Sequence, residues 1–191
     1  MKLNLSVKEI TLVGLATAIM GIFSQLALPI PFTTVPLTLQ TFGLVIFSVV
    51  LGKKIGTLSI LIWALLGTIG IPVFSGFSSG LGVLVGPNGG YIIGFIFMSF
   101  IIGYTSTSTN KNNILLFVGV YLGQAVQYTF GVIQLKIVLG LSLPNALLAG
   151  LYPFILKDII MITVAVTLAL SIKKSLGGVL MSNYKNKISS Y

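Results

Sequence analysis

Lys157 and Asp158 sit side by side within residues 153–172, a run that otherwise reads as membrane-spanning. The chain has only two acidic residues, and Asp158 is the only one far from a terminus. A charge at the centre of a bilayer costs roughly 3 kcal/mol on insertion scales, so an ionisable pair there marks binding or transport. Neighbouring helical residues point about 100° apart, so the two do not make an ideal ion pair with each other and are read as converging on a third group. A carboxylate accepts two N–H bonds from one planar group, and a lysine donates to an oxygen. The plainer alternative is structural: Lys157 snorkels outward while Asp158 bonds another helix. If the helix starts at Pro153, whose missing N–H is harmless in the first position, the pair lies about one turn in, near the outer end. If it starts at Asn145, the pair lies deeper.

Residues 73–90 read Val-Phe-Ser-Gly-Phe-Ser-Ser-Gly-Leu-Gly-Val-Leu-Val-Gly-Pro-Asn-Gly-Gly, with six glycines and no charge. A plain solvent loop is more polar. This composition suits a segment folded back over the bundle, where glycine lets backbone N–H and C=O groups approach a ligand. A flexible external loop is the alternative. The turn 86–91 closes the segment and opens the next helix; Asn88 and Gly89 there either hold a ligand oxygen at the helix N-terminus or form a simple turn and cap. Gln40, Gln124, Gln127 and Gln134 lie inside spans. Most are assigned to interhelical hydrogen bonds, of about 0.6 kcal/mol each. Gln40 stands apart, near the outer end of the second span, and Lys136 is read as snorkelling.

These residues must be positioned by an unusually apolar chain. Of 191 residues, 55% are hydrophobic and 7% charged, with mean hydropathy +1.09, against about 25% charged in a soluble domain. The fold class is an all-α membrane protein. A β-barrel would alternate apolar and polar residues over ~10-residue segments, which this chain does not. The net charge of +9 comes entirely from lysine. It reads as membrane topology rather than nucleic-acid binding. Cysteine and histidine are absent, which removes disulfides, thiol catalysis, thiolate or imidazole metal sites and Ser-His dyads. No metal and no cofactor is expected.

Six spans are predicted, at about 9–28, 35–51, 55–71, 91–107, 114–139 and 145–172, in one domain covering 1–191, with a polar tail over 181–191. Such lengths suit a bilayer core of about 30 Å. With six crossings, nine of the eleven lysines (2, 8, 53, 54, 111, 173, 174, 185 and 187) fall on one side. The loops on the other side carry no charge. That asymmetry predicts cytoplasmic termini in a multi-pass protein of the cell membrane. The apolar run after Lys2 and Lys8 lacks a cleavage site and reads as a retained helix. Small residues four apart occur at Gly14/Ala18, Gly52/Gly56, Gly90/Gly94 and Gly119/Gly123, and permit close helix contact.

Four stretches resemble the biotin-specific substrate-binding subunit, the S component or BioY family, of energy-coupling factor transporters. They are Pro29-Ile-Pro-Phe-Thr-Thr-Val-Pro-Leu-Thr-Leu-Gln40, Leu66-Gly-Thr-Ile-Gly-Ile-Pro-Val-Phe74, Gly82-Val-Leu-Val-Gly-Pro-Asn-Gly-Gly-Tyr91 and Pro153-Phe-Ile-Leu-Lys-Asp158. The resemblance implies a compact six-helix bundle that binds biotin from outside, under a glycine-rich external loop between helices 3 and 4. It also implies a transmembrane coupling subunit and two cytoplasmic ATPases as partners, with Gly14 and Ala18 at the coupling-subunit contact. In such a site Asp158 takes the two ureido N–H groups. Asn88, Gln40 or Lys157 serves the carbonyl and carboxylate, with Gly89 beside them, and Val73, Phe74, Phe77, Leu84 and Tyr91 supply apolar walls. The family's lysine three residues after the aspartate is Met161 here. Lys157 lies within about 60° of that position around the helix and replaces it imperfectly.

The alternative to a vitamin-binding subunit is a self-sufficient ion- or proton-coupled small-molecule transporter, though no His/Asp/Glu relay is present. An intramembrane enzyme would need clustered acids, histidines or metal ligands, and only Asp158 is available. A helper or scaffold role stays open. No G-x-x-x-x-G-K-[ST] loop exists, so any ATP hydrolysis belongs to partners.

Overall fold

Ser6 opens the first helix with a capping box: its hydroxyl accepts from Glu9 N, and its own N–H donates to Glu9 Oε2 at 2.8 Å. This pairing satisfies two orphan donors at the start of α1 (Val7–Gln25). The computed structural model describes residues 5–31, 33–108 and 113–188. After α1 come two short antiparallel strands, β1 (Ala27–Leu28) and β2 (Leu37–Thr38), with Ala27 opposite Thr38. Helices α2 (Gln40–Thr68), α3 (Leu81–Val85), α4 (Gly89–Ser108), α5 (Asn113–Leu139), α6 (Leu143–Gly150) and α7 (Tyr152–Ile188) follow. A 3₁₀ turn at Ser75–Phe77 lies before α3.

Among the described residues five helical stretches are long and apolar enough to cross a bilayer: Val7–Gln25, Gln40–Thr68, Gly89–Ser108, Asn113–Leu139 and Leu143–Leu176. The second and third expected spans fall within α2, which is interrupted at Gly52 by a non-helical backbone of φ 73° and ψ −176°. A Cβ built on Gly56 would lie 2.9 Å from Ser48 Cα. Eight residues of straight helix separate Cα atoms by about 12 Å. The chain therefore turns back on itself at Gly52, and a side chain there would be strained by the positive φ.

Other boundaries move as well. The first span ends as helix at Gln25, because 27–28 pair with 37–38. The second starts at Gln40, not Val35, since residues 35–39 are extended or turned around Pro36. The last splits at Leu151, with φ −129° and ψ −62°, into α6 and α7. Residues 181–188, expected as a polar tail, continue α7. Residues 189–191, Lys2 and Lys111 lie outside the described residues.

The core lies between α2, α4 and the inner stripe of α7 at Phe154, Asp158, Ile162, Ala165, Val166 and Ala169, repeating every three to four residues. Helices α4 and α5 meet backbone to backbone through the glycine pairs. A Cβ on Gly94 would lie 2.7 Å from Gln127 Cα, and one on Gly123 would lie 3.1 Å from Met98 Cγ. Without a hydrophobic effect between helices in lipid, such close van der Waals contact drives association. Gly94→Val is expected to lower the thermal unfolding midpoint in detergent by several degrees, equivalent to about 1–3 kcal/mol, because neither backbone can yield alone.

Candidate functional site

A cavity of about 450 Å3 opens at the end of the bundle where α1 ends and α2, α4 and α7 begin. Its size is within the usual range for small-molecule sites. One wall is the hairpin around β1 and β2, which contributes Pro29, Thr33, Thr34 and Val35. Another is the glycine-rich strap between α2 and α4, which contributes Phe74, Ser75, Gly76, Ser78 and Val83. The floor comes from α4, α5 and α7, with Tyr91, Phe95, Gln127, Tyr128, Phe154 and Asp158.

Asp158 is about two turns into α7, which begins at Tyr152, so the shallower of the two expected depths holds. It is 5% exposed. Its Oδ2 accepts from Tyr128 Oη at 2.5 Å and from Gln124 Nε2 at 3.3 Å, both on α5. Lys157 Nζ lies 2.7 Å from Oδ1 in a salt bridge whose alignment falls short of a hydrogen bond. The ammonium thus compensates the charge from off the hydrogen-bonding direction. The neighbours pair closely but with poor alignment, the non-ideal geometry expected from their angular separation on a helix. Lys157 also donates to Thr38 O at 3.2 Å, tying α7 to the hairpin.

Asn88 lines the cavity, and its Nδ2 donates to Thr34 O at 3.2 Å, joining strap to hairpin. Its Oδ1 is buried without a partner. Gln40 also lines the cavity, but its amide is engaged at both ends. Nε2 donates to Ser24 Oγ at 2.9 Å, and Oε1 accepts from Thr38 Oγ1 at 2.9 Å. Tyr91 donates its hydroxyl to Gly150 O at 2.8 Å. That carbonyl is available because α6 and α7 break there: Phe154 N bonds Leu151 O instead, and Pro153 has no N–H. The ring of Tyr91 lies against Gly131 and its hydroxyl against Gly150, positions where a Cβ would collide with it.

Four residues expected in the site do not line the cavity. Val73 packs beside Gly21 and the core, and its carbonyl accepts from Trp63 Nε1 at 3.0 Å. Phe77 is 71% exposed, because its backbone adopts φ 57° and turns the ring outward. Leu84 packs on the core and presents its carbonyl to Gln134. Gly89 is buried against Leu84 O and the Gln134 amide, so it serves the α3–α4 turn. Gln127, one of four glutamines of which most are assigned to interhelical bonds, lines the cavity, and its Oε1 accepts from Gln124 Nε2 at 3.1 Å. Tyr128 was missed altogether. The signal was present: 124, 127 and 128 share one helical face, so three polar groups on a membrane helix point the same way.

The site therefore offers a buried carboxylate paired with a poorly aligned ammonium, an unpartnered Asn88 Oδ1 and several aromatic walls. It suits a ligand with closely spaced N–H donors and an otherwise apolar body. A model of the BioY family matches residues 1–178. A protein of Pyrococcus horikoshii named probable biotin transporter BioY is 40% identical over 162 residues, covering 85% of this chain and 94% of that protein. Biotin transporter BioY of Thermotoga maritima is 37% identical over 167 residues, covering 87% and 96%. A crystal structure described as the S-component for biotin from an ECF-type ABC transporter is similar in fold. Its TM-score is 0.81 at 32% identity, over 91% of this chain and 95% of the other.

Proposed function

The chain belongs to the BioY family, and from that premise we propose that it captures biotin at the outer face of the cell membrane as the S component of an ATP-driven importer. The observation that carries this reading is Asp158, a buried carboxylate in the cavity wall that α5 holds by one oxygen while the other meets only the poorly aligned Lys157 ammonium. Biotin's ureido ring presents two N–H donors and one carbonyl. Asp158 accepts one or both N–H groups, and Asn88 Oδ1 is a second acceptor within the same cavity. Lys157 attracts the ligand's carboxylate or carbonyl. Phe74, Tyr91, Phe95 and Phe154 enclose the thiophane ring and the chain. That relatives are named biotin transporters, and that a similar crystal structure is of an S-component for biotin, supports the choice of ligand.

The protein is a multi-pass membrane protein of a transporter family, so its work is binding and transport rather than catalysis. Six crossings with cytoplasmic termini follow if the two arms of α2 each cross, and the lysine asymmetry supports that arrangement. The partners are then a transmembrane coupling subunit and two cytoplasmic ATPases. Gly14 and Ala18 are exposed on α1, and a Cβ on Gly14 would meet nothing within 4 Å. That open face is the proposed contact for the coupling subunit.

Calorimetric titration of the detergent-purified protein with biotin, without ATP or sodium, is the test. A single tight site is expected, and no heat with biotin or any related vitamin would overturn the reading. Tyr128→Phe removes one of the donors that orient Asp158 and is expected to weaken biotin binding by roughly tenfold, read in the same titration.

A further inference from the structure

We infer that two glutamines outside the cavity, Gln25 and Gln134, clamp the two ends of the glycine-rich strap and so set how long a ligand stays. The inference rests on the biotin-binding reading of the same cavity. Gln25 is the last residue of α1. Its Nε2 donates to Phe74 O at 3.0 Å and lies 3.4 Å from Pro72 O, while its Oε1 accepts from Phe77 N at 2.8 Å. One side chain thus holds three backbone groups of the strap's first turn. Gln134, on α5, does the same at the other end: its Nε2 donates to Leu84 O at 2.6 Å and to Gly86 O at 2.8 Å. Neither glutamine lines the cavity, but the stretch between their contacts supplies Phe74, Ser75, Gly76, Ser78 and Val83 to its wall.

The backbone under the first clamp is strained. Phe77 has φ 57° and follows Gly76 at φ 67°. A left-handed aromatic residue persists only where its surroundings over-determine it, and such strain gathers at ligand clamps. The ring of Phe77 is exposed and gives little packing in return. The bond from Phe77 N to Gln25 is therefore what retains this conformation, since losing it frees the residue to return to negative φ. Side-chain amides suit the task. Each offers a donor, an acceptor or both to strap backbone groups that lie outside helical or strand pairing. They act as positioning residues, through the strap, and touch no ligand.

The test uses the full chain in detergent, with Gln25→Met and Gln134→Met, which keep length and volume but lose the amide. In ligand-free protein, hydrogen exchange of the 73–88 amides is expected to accelerate at least about tenfold, while those of α4 and α5 keep their wild-type rates. With biotin, the dissociation rate rises roughly tenfold and the association rate changes less than about twofold. A merely structural role would instead lower protection throughout the bundle. Unchanged exchange in the strap overturns the clamp. Faster exchange with an unchanged dissociation rate overturns its role in ligand retention. A wild-type protein that binds no biotin sinks the reading of the cavity and the retention role with it, whereas the exchange measurement on ligand-free protein still decides whether the clamp exists.

Discussion

Asp158→Asn is expected to weaken biotin binding by about 100-fold in calorimetric titration, with the fold retained. The wild-type carboxylate offers acceptors only. Its Oδ2 is held by Tyr128 and Gln124, leaving Oδ1 to Lys157 and, in the proposed complex, to the ligand. Asparagine keeps the shape. It satisfies the α5 donors with its carbonyl oxygen and so turns an NH2 group toward both the ligand's N–H and the lysine ammonium. Donor then faces donor, and Lys157 loses its counter-charge. A hydrogen bond to a charged group contributes about 1.5–3 kcal/mol, and a lost buried partner adds its desolvation penalty. Equal affinity in variant and wild type would remove Asp158 from the ligand contacts.

Gly131→Val is expected to abolish measurable biotin binding and to lower the thermal midpoint in detergent. The Tyr91 ring occupies the space where the new Cβ would sit, and its hydroxyl is fixed at Gly150 O in the α6–α7 break. The ring has no alternative within that slot, since a Cβ on Gly150 would collide with the same hydroxyl. Valine therefore drives the ring into the cavity and breaks a buried hydrogen bond. Overpacking of this kind costs about 1–3 kcal/mol, and the orphaned Gly150 carbonyl adds a similar amount. Adding Tyr91→Ala to Gly131→Val should relieve the overlap but leave Gly150 O unpaired and a void in place of the ring, so neither the midpoint nor binding returns to the wild-type value. Unaltered binding by Gly131→Val would mean that Tyr91 does not shape the ligand wall.

Asp158 was legible in the sequence because one acid in an apolar helix has few roles. The turn between the second and third expected spans was legible from Gly52-Lys53-Lys54, though the structure compresses it into one glycine and resumes the helix at once. Side-chain direction in the strap was not legible. Periodicity tells which face a helical residue presents, but Val73, Phe77 and Leu84 lie in turns or a five-residue helix, where φ of one residue decides the direction. The paired segments 27–28 and 37–38 are too short to alternate detectably. Tyr128 was hidden for another reason: a tyrosine in a membrane helix ordinarily reads as an interfacial anchor. Its partner Gln124, four residues earlier on the same face, was the missed cue.

The central claim is that the Asp158 carboxylate accepts the ureido N–H of biotin. Calorimetric titration of wild type and Asp158→Asn, each with biotin and with a biotin methylated on a ureido nitrogen, tests it most directly. The account predicts a large methylation penalty in the wild type and almost none in the variant, because removing either partner removes the same bond. An equal penalty in both proteins would show that the ureido group is held elsewhere, and would contradict the account.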